Sequence, residues 1–262
     1  MIKPRMFYTT NAKIQSILGY RALLASRGRS VPTLLLGCSP YDSEREINQH
    51  LLGYPNNHNY QIWKGHILPS FKLYERARVV TSLYAKNLKS FLDIGSCKGY
   101  YVLETAQNPC CDISTGIDVH EPFISISTKV KEYLDIKNAN FYLATLEELS
   151  NNPEAYGGPF QTVLLIGTYH YLFWGSSFSS SAFYGHREIL TRLSQICTDR
   201  VIFSARLEIG MLPRDQKKKA KLKNEVKYNT EYFLKKAEEL FDVHKAGYLG
   251  KCPLFVMLKR NS

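Results

Sequence analysis

Ser90-Phe-Leu-Asp-Ile-Gly-Ser-Cys-Lys-Gly-Tyr100 decides the fold: an apolar run breaks at a glycine-punctuated turn and leads directly into a helical stretch. Phe91, Leu92 and Ile94 read as a buried strand, Gly95 and Gly99 let backbone approach a ligand closely, and Tyr100 to Gln107 continue as helix. Strand, tight turn and helix N-terminus in succession are the parts of a nucleotide-binding site. Two glycines alone are weak evidence, because the phosphate-binding fingerprint has three and Cys97 holds the middle place. Asp118 sharpens the reading, since it ends the next apolar run, where a carboxylate accepts bonds from ribose hydroxyls. Each acid also has a local alternative, Asp93 as a cap of the turn and Asp118 as a cap of the helix starting near Pro122.

Outward from this turn, strand-like runs recur at Phe91–Ile94, Ser114–Val119, Asn140–Ala144, Thr162–Ile166 and Arg200–Ala205. Helical stretches separate them: Tyr100–Gln107, Pro122–Leu134, Leu146–Asn151 and Ala182–Ile196. This alternation predicts parallel strands joined by right-handed crossovers. Thr230–Leu240 adds a helix, and Phe241–Tyr248 with Leu254–Lys259, joined by Leu249-Gly-Lys-Cys-Pro, reads as an antiparallel hairpin. The predicted fold is α/β: a doubly wound, mostly parallel, Rossmann-like sheet of seven strands with an antiparallel C-terminal hairpin. Ser70 is placed to cap a helix running to about Asn87. Before it, Ser30–Pro69 is rich in Gly, Pro, Asn, Tyr and His and reads as an irregular lid or wrapping segment. The chain therefore divides into 1–69, a basic helix around Asn11–Ser26 plus this segment, and 70–262, the main domain.

The 262 residues, 44% of them apolar, suffice for one large core. The net charge of +11 is unevenly spread: residues 1–80 hold 11 Lys and Arg against 4 acids, 81–200 hold 9 against 12, and 201–262 hold 14 against 7. Basic ends around an acidic middle steer a polyanion or an anionic substrate, or simply keep the chain soluble. Six cysteines without a C-x-x-C pair read as reduced thiols of a cytoplasmic protein, and no metal-ligand spacing is present. There is no run of eighteen apolar residues, so no membrane span is expected. The first acid is Asp42, which is also the pattern of a transit segment, although Ile14, Ile17, Leu18, Leu23 and Leu24 recur at helical spacing.

From about Ser70 to Arg260 the sequence resembles the class I S-adenosylmethionine-dependent methyltransferases. Phe91 to Gly99 is similar to their first motif, Gly116-Ile-Asp-Val119 to their acidic second motif, and Phe141–Leu149 to their adenine-flanking segment. Thr162 to Leu172 is similar to their fourth strand and active-site loop, and the family carries an antiparallel last strand that nicotinamide-binding folds lack. The resemblance implies S-adenosyl-L-methionine as cofactor, with Gly95, Ser96, Cys97 and Gly99 around its methionine part and Asp93 near its amino group. It places Asp118 and Val119 at the ribose, Thr145 and Leu146 at the adenine, and Gly167 beside the transferred methyl. Two positions depart from the pattern: Cys97 stands where glycine is common, which demands that the turn avoid a positive φ or accept strain, and Thr145 stands where many members have an acid.

Methyl transfer needs alignment and exclusion of water, with a base only where the nucleophile carries a proton. His170 and Tyr169, in the loop Thr168-Tyr-His-Tyr-Leu-Phe-Trp174, are the candidates for that chemistry; a packed histidine is the alternative. The loop's aromatic residues stack a planar acceptor or cover the core edge. Lys217, Lys218, Lys219, Lys221, Lys223 and Lys227 form a solvated face or a phosphate-binding one. The expected acceptor is RNA, slightly favoured, or a small molecule. Trp63-Lys-Gly-His66 and the Tyr169-His170 loop resemble, weakly, enzymes that modify the wobble uridine of tRNA, which would engage the basic termini. A non-catalytic cofactor- or RNA-binding protein of the same fold is the third possibility.

Overall fold

The computed structural model describes residues 41–179, 182–223 and 227–260. Its regular elements are α1 (Asp42–Leu51), β1 (Tyr60–Trp63), β2 (His66–Pro69), α2 (Phe71–Thr81), β3 (Ser90–Ile94), α3 (Tyr100–Ala106), β4 (Ile113–Asp118), α4 (Glu121–Tyr133) and β5 (Ala139–Leu143). They continue as α5 (Leu146–Asn151), β6 (Phe160–Ile166), α6 (Tyr169–Trp174), α7 (His186–Ile196), β7 (Cys197–Ser204), α8 (Arg214–Leu222), α9 (Thr230–Ala237), β8 (Phe241–Leu249) and β9 (Cys252–Lys259).

Seven strands form one sheet in the order β5-β4-β3-β6-β7-β9-β8. β3 to β7 run parallel, and β9 runs against both of its neighbours. The central strands read as continuous apolar runs because both faces are covered and successive side chains point to opposite sides. Leu92, Ile94, Val163, Leu165, Val201 and Phe203 face the layer of α5, α7 and α9. Phe91, Leu164, Ile166 and Ile202 face the layer of α2, α3 and α4. The chain passes from β3 outward through β4 and β5, then returns to β6 on the other side, so the topology switches between β3 and β6. Ligands of such sheets bind outside the carboxyl ends of the strands at that point.

The expected basic helix at 11–26 lies outside the described residues. From 41 to 69 the irregular segment is instead a helix and a hairpin held by polar side chains. Asn48, on α1, accepts from the Ile62 N–H at 2.7 Å and donates to the Ile62 carbonyl at 2.8 Å. The hairpin turns at Lys64 and Gly65, both at positive φ (48° and 73°), and both turn N–H groups donate to buried Glu44 at 2.9 and 2.7 Å. Leu51, Tyr60, Ile62 and Ile67 then pack into the same core as α2, α3 and α4. Ser70 caps α2 as expected, its Oγ accepting from Leu73 N at 3.4 Å.

Two boundaries differ near the expected active-site loop. Residues 169–174 form the short helix α6 rather than a loop. α7 starts at His186 rather than Ala182, because Phe183 and Tyr184 donate their N–H groups to the carbonyls of Leu172 and Phe173, which the end of α6 leaves unpaired.

Candidate active site

The turn after β3 is built almost entirely of left-handed backbone: φ is 76° at Gly95, 51° at Cys97 and 77° at Gly99. Cys97 thus takes the conformation that glycine would take at no cost, a strain of roughly 1 kcal/mol. Two bonds compensate locally, Gly95 N and Ser96 N both donating to the Ile117 carbonyl at 2.8 and 2.9 Å. A third comes from Cys97 N, which donates to Asp118 Oδ2 at 2.9 Å. Asp118 Oδ1 accepts from His120 N at 3.0 Å and the Val119 N–H also bears on the carboxylate, which still leaves lone-pair capacity for a further donor. Burial pushes the Asp118 carboxyl above its usual range even against these bonds.

Asp93, 5% exposed at the end of β3, is pushed up to about 7. Desolvation is the main cause; the Arg76 guanidinium opposes it and the Asp118 charge adds to it. Behind the turn, Lys98 is 2% exposed, and its ammonium donates to the carbonyls of Leu51 and Gly53 and to Asn59 Oδ1 at 3.0, 3.3 and 2.9 Å. Tyr60 Oη donates to the Lys98 carbonyl at 2.5 Å. The segment 51–60 is therefore pinned to the back of the turn by one residue, through its side chain and its carbonyl.

In front of the turn opens a cavity of about 1080 Å³. It collects Gly95 and Cys97 from the turn, Asp118 and Val119 after β4, Thr145 and Leu146 at the start of α5, and Gly167 and His170 after β6. Asp93, Ser96, Gly99 and Tyr169 are not on its wall. Asp93 and Ser96 lie buried beneath the turn. Gly99 is the N-cap of α3, where a Cβ would come within 2.7 Å of Phe141 and Ser127, so its glycine serves packing. The Tyr169 ring is fully buried and its hydroxyl is paired with His186 Nδ1, which removes it from contact with an acceptor. Thr145 spends its hydroxyl on a capping box with Glu148, accepting from Glu148 N at 3.1 Å, which explains why this position is not an acid.

His170 is 2% exposed, and neither ring nitrogen has a hydrogen-bond partner. Burial, with the Arg206 charge adding to it, pulls its pKa down to about 3, so the imidazole is neutral at pH 7. The opposite wall comes from the N-terminal segment, with Tyr54 and His58, and from Arg76 of α2. His58 is likewise pulled down to about 3, by burial first and then by Arg76 and Lys98. Arg206, directly after β7, and Tyr248, Leu249 and Cys252 of the closing hairpin complete the wall. Arg76 and Arg206 carry no motif; only the rule that strand ends carry ligands singles out Arg206 from sequence. The lysine run is partly spent on structure. Lys219 Nζ donates to the Trp174 carbonyl at 2.9 Å, and Lys223 Nζ lies 3.2 Å from the Tyr184 ring centre.

Among solved structures the chain is similar to EvdMO1, with a TM-score of 0.53 and 17% identity over 82% of this chain and 46% of that one. It is similar also to the bifunctional kinase-methyltransferase WbdD, with a TM-score of 0.55 and 15% identity over 86% of this chain and 45% of that one. The shared fold is Rossmann-like, a mostly parallel seven-stranded sheet with an antiparallel closing hairpin. The chain spans about half the length of these structures, and at these identities the likeness is one of fold. No protein-family model matches the chain, and no curated protein matches it. No helix among the described residues is long and apolar enough to cross a membrane.

Proposed function

We propose that this chain is an S-adenosylmethionine-dependent methyltransferase acting on a small molecule. The observation that carries the reading is convergence: Gly95, Asp118, Leu146 and Gly167, from four separate strand ends, meet in one cavity at the switch of the sheet. The residues fit the cofactor. Asp118 keeps lone-pair capacity for a ribose hydroxyl, Leu146 and Val119 offer an apolar slot for the adenine, and Gly167, with nothing within 4 Å of where a side chain would start, leaves the cavity open beside the methyl. Arg76, on the cavity wall, suits the carboxylate of the methionine end, and Asp93, beneath the turn and close enough for the arginine to influence its carboxyl, draws the ammonium from behind that wall. The cofactor supplies an electrophilic methyl group; the chain supplies position, dryness and, at His170, a neutral imidazole whose unpartnered nitrogen can accept a hydrogen bond from the acceptor's nucleophile and orient it.

The cavity wall supports a small acceptor over RNA. Its outer side is formed by Tyr54, His58 and the β8–β9 turn, which leaves a pocket rather than an open groove, and two lysines of the basic run are engaged within the fold. We place the enzyme in the cytoplasm on its cysteine usage.

Calorimetry with S-adenosylmethionine and S-adenosylhomocysteine tests the reading. Both bind, and Asp118→Ala lowers affinity by about 10–100-fold, the worth of hydrogen bonds to a charged acceptor. Absence of binding by either compound refutes it. Salt-dependent binding of tRNA that competes with S-adenosylhomocysteine would instead return the acceptor to RNA.

A further inference from the structure

Arg206 is the cavity residue without an assigned task. It follows β7 directly, and its backbone carbonyl is fixed by the Tyr228 hydroxyl at 2.7 Å. Its guanidinium lines the cavity, and among the described residues no carboxylate lies within ion-pair distance of it. Its neighbours include His170 and Tyr171, where its charge is felt, while Cys252 feels both Arg206 and Arg76. Asp215, at the start of α8, faces the same histidine and tyrosine with the opposite sign, but it is not paired with the arginine. A charged fork on a cavity wall beside a buried histidine with two unpartnered nitrogens is an unfilled recognition site.

The surrounding surface is aromatic. Tyr171 lines the cavity next to His170, the Tyr54 hydroxyl is near enough to affect that of Tyr171, and Tyr54 is 83% exposed. Tyr248 closes the same side from the hairpin. Planar rings held against tyrosine faces, with a guanidinium at one end, match an aromatic body carrying an anion.

We infer that the acceptor is a small aromatic carboxylate, its carboxylate held by Arg206 and its protic nucleophile directed to His170. This rests on the proposed methyltransferase reading and names the substrate class of that site. Arg76, whose charge is felt at Asp93 beneath the turn, is assigned to the cofactor's carboxylate, and substitution of each arginine in turn separates the two roles.

The test uses the whole chain saturated with S-adenosylhomocysteine and two probes of the same shape, 4-hydroxybenzoate and neutral 4-hydroxybenzamide, titrated by calorimetry. The carboxylate binds at least about tenfold more tightly than the amide, as expected for one charge-assisted pair. Arg206→Gln abolishes that preference and leaves S-adenosylhomocysteine affinity unchanged, whereas Arg206→Lys keeps part of it. Arg76→Gln weakens the S-adenosylhomocysteine step instead. Equal affinity for both probes, binding of neither, or a preference that survives Arg206→Gln overturns the inference while the cofactor reading stands. Failure of S-adenosylhomocysteine to bind the native chain overturns both.

Discussion

Where the proposed cofactor directs its ammonium at Asp93, which lies beneath the turn and behind the cavity wall, its affinity depends on pH. In the cofactor-free site burial holds its carboxyl at about 7, with Arg76 pulling it down and Asp118 pushing it up. The cofactor's ammonium pairs with the ionised form, so the site must lose a proton before or as it binds. For a group of pKa 7, about 9% is ionised at pH 6, about 50% at pH 7 and about 76% at pH 7.5. Observed affinity follows that fraction and rises about eightfold from pH 6 to pH 7.5, roughly 1.2 kcal/mol. His58 and His170, both held at about 3, stay neutral across this window and do not contribute. Stopping at pH 7.5 keeps the cofactor's own amino group protonated. The assay is calorimetry with S-adenosylhomocysteine at pH 6, 6.5, 7 and 7.5, in two buffers of different ionisation enthalpy at pH 7, where release of about half a proton is expected. Asp93→Asn binds more weakly at every pH and with no slope. A flat profile in the native chain, or a slope that survives in Asp93→Asn, refutes the placement of the ammonium at Asp93.

Further outcomes concern stability. His170, at about 3 in the fold against about 6.5 unfolded, withholds a proton that the unfolded chain accepts, so stability present above pH 6.5 is lost as pH falls towards 3. Urea melts at pH 7.5 and pH 5 of the native chain and His170→Phe should show that difference shrink by about 2 kcal/mol in the variant; an unchanged difference contradicts the buried neutral imidazole. Gly95→Ala brings its Cβ into the Thr168 side chain at a φ of 76°, whereas Gly167, at 74°, has open space around it. Gly95→Ala therefore costs about 1–2 kcal/mol more than Gly167→Ala in the same melts, and similar costs would show that the turn yields freely. Lys98→Met leaves three oxygen acceptors, two of them buried, without their donor. It lowers stability by about 3 kcal/mol and speeds hydrogen exchange in residues 51–60 before the rest of the chain; uniform exchange would deny the tether.

What could be read without coordinates divides by the range of the forces involved. β3, β6 and β7 are legible because two-sided burial writes itself as apolar runs such as Thr162–Ile166. The Ser70 cap and the closing hairpin are legible because cap and turn preferences are local. Residues 41–69 are not, because α1 holds the hairpin with Glu44 and Asn48, polar side chains that in sequence look solvated. Tyr169 misleads for a related reason: its position after β6 suggests chemistry, but its ring fills the core and its hydroxyl meets His186, seventeen positions on.

The site shows the same division within a single motif. Gly95, Asp118 and Leu146 announce themselves because they act through turn geometry or at strand ends, whereas Arg76 and Arg206 become site residues only when separate elements meet around one cavity. Lys98 joins the two cases. Between Cys97 and Gly99 it looks like a residue of the cofactor turn, yet its ammonium points to the back, where Leu51, Gly53 and Asn59 receive it. Those acceptors bracket Tyr54 and His58, which form the acceptor wall. The turn therefore faces the cavity with its front and, with its back, holds the segment that carries Tyr54 and His58 on the cavity wall. A disturbance of the Lys98 bonds should reach the cavity at both ends, and Lys98→Met should weaken S-adenosylhomocysteine and 4-hydroxybenzoate together, where Arg206→Gln weakens the second alone.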